Sequence, residues 1–354
     1  MDTTALVSLI AGLVLLVAGA EILVRGASRI AVLLHISPLI IGLTIVAYGT
    51  SAPEMAVSIQ SNFAGEAAIS IGNVVGSNIV NVLLILGISS AVIPLIVDQQ
   101  LVRLDVPIMI GVSILLPFLA MDGSLGKLDG LLLFVGAVVY TIFLFCSGRE
   151  EEVDLDAAEG TSRSLRPWVS NIVLVLVGMV MLTIGSDWLV AGAITIAEAI
   201  GVSNLVIGLT VVALGTSLPE LVTSVVASMK GERDMAVGNV IGSNIFNILA
   251  VLGVASLLAP SGIEVSPAAL NFDIPVMIAV AIACLPIFFS GNVISRWEGW
   301  LFLAYYAAYT TYLILDATNH DALPIFSRML GGFVIPLTVI TLATISWRAR
   351  RHPK

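Results

Sequence analysis

The chain has 354 residues, 58% of them hydrophobic and only 11% charged, with a mean hydropathy of +1.07 and a net charge of −9. Soluble domains carry about 25% charged residues, so this composition excludes a soluble globular protein and a basic nucleic-acid binder and points to an integral membrane protein. Cys146 and Cys284 lie in separate apolar segments, which argues against a disulfide framework or a Cys-based metal site.

The chain opens Met1-Asp-Thr-Thr, without the basic start of a signal peptide, so the first apolar run is expected to be a retained helix. Each span needs about 20 residues to cross a bilayer. The first five are expected at 4–23, 36–61, 67–92, 101–120 and 128–146. The second five follow at 169–189, 202–227, 234–258, 269–289 and 298–316, and an eleventh lies near 329–347. The organisation is therefore a first five-helix unit (1–148), an acidic linker (149–168), a second five-helix unit (169–318) and a last helix with a basic tail (319–354).

The second span holds Gly42-Leu-Thr-Ile-Val-Ala-Tyr-Gly-Thr-Ser-Ala-Pro-Glu54, and the seventh repeats it as Gly208-Leu-Thr-Val-Val-Ala-Leu-Gly-Thr-Ser-Leu-Pro-Glu220. Subtracting 54 from 220 gives an offset of 166. The same offset places Gly72-Asn-Val-Val-Gly-Ser-Asn-Ile-Val-Asn81 on Gly238-Asn-Val-Ile-Gly-Ser-Asn-Ile-Phe-Asn247, and Glu21 on Asp187. This is an internal duplication. Five spans per copy is an odd number, so the second copy enters from the opposite face, as in the inverted repeats of secondary transporters. With the N-terminus outside, thirteen of the fifteen Lys and Arg fall on the inner side, and only Lys127 and Arg328 stay outside. That positive-inside bias puts the C-terminus in the cytoplasm.

Pro53 and Pro219 remove a backbone donor inside apolar helices, so both helices should break near the bilayer centre and free carbonyls around 47–49 and 213–215. Such backbone survives in a membrane only where it lines an enclosed or wet cavity. Thr50 and Glu54 share a helix face with Ser51, and Asn73, Ser77 and Asn81 recur every four residues on the next span. Thr216, Ser217, Glu220, Asn239, Ser243 and Asn247 repeat the pattern. The sum is an all-oxygen cage with two carboxylates, suited to a hard cation such as Ca²⁺ or Na⁺. Taken singly, the Ser, Thr and Asn residues could be interhelical glue, and Gly72/Gly76 and Gly238/Gly242 have the spacing of close-packing contacts. The glutamates differ, because an acid at a helix centre costs about 2.5–3.5 kcal/mol to insert and Gln would fill the space more cheaply.

The paired Gly-Thr-Ser-x-Pro-Glu and Gly-Asn-Val-x-Gly-Ser-Asn-Ile motifs resemble the two alpha repeats of the cation/calcium exchanger superfamily, in its prokaryotic sodium/calcium exchanger branch. The resemblance covers about residues 1–316. It implies an all-α membrane fold of ten core helices, with helices 2, 3, 7 and 8 enclosing the ions and the helix 1/6 pair sliding across them, in a bacterial inner (plasma) membrane. By motif position it implies a ligand set of Glu54, Glu220, Thr50, Ser51, Thr216, Ser217, Ser77, Ser243, Asn81 and Asn247, with the carbonyls of Ala47 and Ala213. Family members can carry Asp at one of the two Asn positions, whereas both are Asn here. The animal exchangers have a large cytoplasmic insert, which a linker of this length cannot hold.

Among the other charges, Glu21 and Asp187 read as charges near helix ends, and Asp105 and Asp273, before Pro107 and Pro275, read as N-caps. The acidic run at 150–156 lacks the Gly and closing Glu of an EF-hand and reads as a solvated linker. The functional expectation is a secondary antiporter that moves Ca²⁺ against Na⁺, with no resident cofactor, no nucleic-acid partner and no obligate protein partner. Two carboxylates balance one Ca²⁺ or at least two Na⁺, and an empty dianionic cage is costly to occlude, which favours exchange over leak. The rivals are a proton-coupled antiporter on the same fold, a cation channel and, remotely, an intramembrane hydrolase, for which no nucleophile–His pair or HExxH is present.

Overall fold

The computed structural model describes residues 3–147, 165–289, 292–336 and 338–339, and these are mostly helical. Helix α1 covers Thr3–Leu34, well beyond the expected 4–23, so Glu21 lies within the helix and not near its end. Next come α2 (Pro38–Thr50) and α3 (Ala52–Phe63), two halves of one span bent by 41°. After them α4 starts at Ala67–Val80 and continues through 81–92, followed by α5 (Leu101–Leu119) and α6 (Lys127–Ser147). The second half holds α7 (Leu165–Ala199), α8 (204–215), α9 (Leu218–Met229), α10 (Arg233–Leu258), α11 (Ala269–Phe288) and α12 (Arg296–Ala317). A shorter α13 (Leu323–Met329) leads into a π turn at Leu330–Val334. The rest of the expected eleventh span and the acidic run at 150–156 lie outside the described residues. Among those described, seven helices are long and apolar enough to cross a membrane, or eight with the bent pair counted as one span.

The breaks fall where the prolines put them. Ser51 and Ser217 take nearly the same non-helical backbone (φ −82, ψ 6 and φ −88, ψ 3), and Pro53 and Pro219 sit in the first turn of the helix that follows. Proline is tolerated there because its missing N–H has no helical acceptor to lose. The duplication persists in the elements. Both α3 and α9 have 12 residues, and the first sections of α4 and α10, Ala67–Val80 and Arg233–Phe246, have 14 each. Wide π turns also recur in register, at Gly42–Val46 and Gly208–Val212, and at Asn81–Leu86 and Asn247–Leu252. Such turns concentrate at functional sites, and the hydrophobic pattern had not revealed them.

Two small antiparallel ladders tie the halves together. Strand β1 (Leu95–Ile96) pairs with β4 (Val293–Ile294), and β2 (Ser124–Leu125) pairs with β3 (Ile263–Glu264). Along the outside, α1 and α7 pack antiparallel through a seam with glycine at every seventh position: Gly12, Gly19 and Gly26 on one helix, Gly178, Gly185 and Gly192 on the other. A Cβ on Gly178 would lie 2.7 Å from Leu23 N, and one on Gly185 would lie 2.8 Å from Leu16 N. Only glycine permits backbones this close. The seam presents backbone to backbone and leaves the buried core to α4 and α10, whose residues Val237–Asn247 are all buried.

Candidate functional site

The helix breaks deliver Glu54 and Glu220 into the first turns of α3 and α9, where the exposed N–H groups and the positive end of the helix dipole favour negative charge. Both carboxylates are buried, at 1% and 0% exposure. Each accepts a hydrogen bond from the other copy. Ser51 Oγ donates to Glu220 Oε1 at 3.0 Å, and Ser217 Oγ lies 3.3 Å from Glu54 Oε1 and 3.1 Å from Ser77 Oγ. The threonines cross over in the same way, Thr50 to Asn239 Oδ1 at 3.2 Å and Thr216 to Asn73 Oδ1 at 3.3 Å. Those two asparagines are held by their own copy: Asn73 donates to Ser58 Oγ and Glu54 O, and Asn239 to Ser224 Oγ.

The remaining oxygens of the two motifs take no part in this bracing. Among the described residues, Glu54 Oε2, Glu220 Oε2, Asn81 Oδ1 and Asn247 Oδ1 are buried and have no hydrogen-bond partner within 3.5 Å. Leaving a buried acceptor unpaired costs about 1–3 kcal/mol, more when it is charged. These four atoms fall on equivalent positions of the two motifs and could each accept from a donor or a cation. Among the described residues no three His, Cys, Asp or Glu side chains cluster as metal ligands. The charge is therefore limited to two carboxylates, with neutral oxygens completing the set, which is the chemistry of hard cations.

The structure thus brings the Glu, Ser and Thr residues named from the two motifs together and sets Asn81 and Asn247 one turn beyond Ser77 and Ser243. The backbone carbonyls differ from expectation. Ala47 O is not freed, since it accepts the Ser51 amide at 3.0 Å and lies 3.4 Å from Thr50 Oγ1. In the second copy the Ser217 amide reaches Leu214 O instead, and Gly215 O accepts the Ser186 hydroxyl from α7 at 2.5 Å. Proline removes the donor four residues downstream of Gly49 and Gly215, both within the stretches where free carbonyls were expected; of the two alanines, Ala47 O is the one seen to accept a backbone amide.

Other expectations are corrected too. Asp105 and Asp273 are not N-caps, because their helices begin a turn earlier, at Leu101 and Ala269. Instead each carboxylate accepts a tyrosine hydroxyl, Tyr140 at 2.8 Å and Tyr309 at 3.2 Å. Glu21 does pair with Arg25 (3.2 Å), but its shorter contact is to Lys230 on the α9–α10 turn, at 2.8 Å. Asp187 lies well inside α7.

The two copies are equivalent in sequence but not in packing. On one side α2 lies tight against α10: a Cβ on Gly42 would lie 2.6 Å from Met235 O, one on Gly238 2.8 Å from Leu39 O, and one on Gly242 2.7 Å from Leu43 O. The matching positions 166 residues away, Gly208, Gly72 and Gly76, have nothing within 4 Å among the described residues. There α8 stands off from α4, Gly72 is exposed and Asn73 half-buried, whereas Gly238 and Asn239 are buried. Both carboxylates are buried, with the tightly packed α2–α10 contact on one side of the site and the looser α4–α8 contact on the other. The glycine spacing had suggested close packing for both pairs; among the described residues only Gly238 and Gly242 show it.

Comparison with known proteins adds the following. A family model described as sodium/calcium exchanger protein matches residues 4–146 and 170–315. The inner membrane protein YrbG of Escherichia coli is 36% identical over 288 residues, which is 78% of this chain and 86% of that protein. The sodium/calcium exchanger MaX1 of Methanosarcina acetivorans is 35% identical over 349 residues, covering 88% and 99%. Among solved structures, one of the sodium-calcium exchanger NCX_Mj superposes with a TM-score of 0.75 at 33% identity, covering 90% of this chain and 99% of that one.

Proposed function

The chain belongs to the sodium/calcium exchanger protein family, integral membrane transporters and not enzymes, and we propose that it is a secondary antiporter exchanging Ca²⁺ for Na⁺ by alternating access. The observation that carries this reading is the pair of buried carboxylates, each braced through one oxygen by the opposite copy and each with the other oxygen unpartnered. Glu54, Glu220, Thr50, Ser51, Thr216, Ser217, Ser77, Ser243, Asn81 and Asn247 form the ion site, with the carbonyl of Ala213 at its edge; that of Ala47, which accepts the Ser51 amide in this conformation, joins it through its second lone pair. A doubly negative cage is neutralised by one Ca²⁺ or by two Na⁺. Occluding it empty would bury unpaired charge, so the protein changes sides only when loaded. The hydroxyl pairs suit Na⁺ as the counter-ion.

The architecture we assign is two inverted five-helix repeats plus a further C-terminal helix, with the N-terminus outside and the C-terminus in the cytoplasm. In that orientation, supported by the asymmetry of Lys and Arg, the looser α4–α8 side faces the exterior and this conformation is outward-facing. Because the copies are equivalent, exchanging their packing gives the inward-facing state: α8 closes on Gly72 and Gly76 while α2 leaves Gly238 and Gly242. The two states differ by which copy is tight.

The test is ⁴⁵Ca²⁺ uptake into proteoliposomes at constant pH. An outward Na⁺ gradient is expected to drive uptake, and a pH gradient alone is not. Protonophore-sensitive uptake driven by a pH gradient without Na⁺ would replace Na⁺ with H⁺ as the coupled ion. Uptake under neither gradient would overturn the antiport reading.

A further inference from the structure

Asn78 and Asn244 belong to the duplicated motif but point away from the four-residue stripe that carries Ser77 and Asn81. Both are 2% exposed and lie where α4 meets α10. Their hydrogen bonds form a chain whose sense is set by acceptors that cannot donate. Asn78 Nδ2 donates to the backbone carbonyl of Asn244 at 3.1 Å and also faces Met277 Sδ at 3.6 Å. A carbonyl and a thioether only accept, so the amino group of Asn78 must face them and its Oδ1 must face the other way. That Oδ1 accepts from Asn247 Nδ2 at 3.0 Å. In the other copy Asn244 Nδ2 faces Met109 Sδ at 3.4 Å, and its Oδ1 accepts from Asn81 Nδ2 at 3.0 Å. With their amino groups consumed, Asn81 and Asn247 turn their carbonyl oxygens the opposite way, and those oxygens are the buried, unpartnered atoms of the site.

We propose that Asn78 and Asn244 are positioning residues that fix the amide flip of Asn247 and Asn81, so that a cation meets two carbonyl oxygens and never an NH₂ group. The inference rests on the reading of this cage as a Ca²⁺ site. Each positioning residue comes from the copy opposite to the amide it orients, so the flips hold only while α4 and α10 stay in register. An asparagine free to rotate about its last bond would present NH₂ in part of the population, and an amide hydrogen facing a divalent cation is repulsive where the oxygen was attractive. The Met sulfurs make the arrangement specific, since an apolar methylene there would leave the Asn244 amino group unpaired.

The experiment is a double-mutant cycle on full-length purified protein, with ⁴⁵Ca²⁺ binding as the readout. Asn244→Leu removes the acceptor for Asn81 and is expected to weaken Ca²⁺ binding about ten-fold or more, about one decade in Kd. Asn81→Asp makes the flip irrelevant, because a carboxylate presents oxygen whichever way it turns. In the Asn81→Asp background, Asn244→Leu should therefore change Kd by no more than about two-fold, the scatter of independent sites. A residue that merely packed the helices would cost the same in both backgrounds. Equal losses in both, or no loss when Asn81 is left in place, would overturn the proposal while leaving the Ca²⁺ site intact. Failure of the wild-type protein to bind Ca²⁺ would instead remove the reading on which it rests. Should Asn244→Leu fail to fold, Asn78→Leu with Asn247→Asp is the mirror cycle with the same expected outcome. Failure of both Leu variants to give monodisperse protein would overturn the proposal by making the asparagines a folding requirement.

Discussion

Gly76→Ala tests the exchange of packing between the two copies. In this conformation the substitution is expected to be tolerated, because among the described residues a Cβ at Gly76 has nothing within 4 Å. Gly242, its counterpart, shows what Gly76 meets when the copies exchange roles. A Cβ there would lie 2.7 Å from Leu43 O, 2.8 Å from Leu43 Cα and 2.9 Å from Ala47 Cβ. Two of these are backbone atoms, which cannot rotate aside. Forcing an extra methyl into packed structure costs about 1–3 kcal/mol, and a bias of that size between two states is about 5–150-fold in their ratio. Gly76→Ala should therefore fold as the wild type and bind Ca²⁺ from the outward side normally, but lose Na⁺-driven ⁴⁵Ca²⁺ flux by about that factor. Gly242→Ala should act in the opposite sense, loosening the tight α2–α10 contact and favouring the inward-facing state. Binding and flux measured on the same preparations separate these outcomes. Wild-type flux in Gly76→Ala would refute the idea that α8 closes onto α4 as α2 now closes onto α10.

Glu54→Gln and Glu220→Gln keep shape and hydrogen-bonding capacity but each remove one negative charge; both should yield folded, monodisperse protein with Ca²⁺ transport abolished or nearly so, and near-normal exchange by either would remove that residue from the site. The two defects should be comparable, since each carboxylate stands at an equivalent helix break. Gly185→Ala places a Cβ 2.8 Å from Leu16 N and 2.9 Å from Gly12 O, so it should destabilise the α1–α7 seam by about 1–3 kcal/mol, read as a lower midpoint of thermal aggregation in detergent. Lys230→Ala removes only a half-exposed ion pair with Glu21, which solvent screens, and should leave the midpoint of thermal aggregation close to that of the wild type. With Cys146 replaced by Ser, a cysteine introduced at 150–160 should react with impermeant thiol reagents only from the cytoplasmic side, and labelling of intact cells from outside would reverse the orientation.

Composition alone determined that this is a membrane protein, because 58% hydrophobic residues in runs long enough to cross cannot be buried in a soluble core. The duplication, the proline breaks and the candidate carboxylates were also legible, since all are local: a proline acts on the turn that precedes it, and a repeated sentence needs no coordinates to be read. Locality is also where the reading failed. Asp105 and Asp273 precede prolines and look like caps, yet only the packed structure brings Tyr140 and Tyr309 to them. Glycines spaced by seven along α1 and α7 were visible as letters but gained meaning from the antiparallel contact. Asn78 and Asn244 fall off the polar stripe and become informative only when the opposite copy supplies Asn247 and Asn81. Above all, the two motifs are nearly the same text, so they cannot say which copy is tight and which stands open. That asymmetry is a choice between two packings of equivalent sequence, made by contacts between α2 and α10 that α8 and α4 do not share, and only tertiary structure decides it.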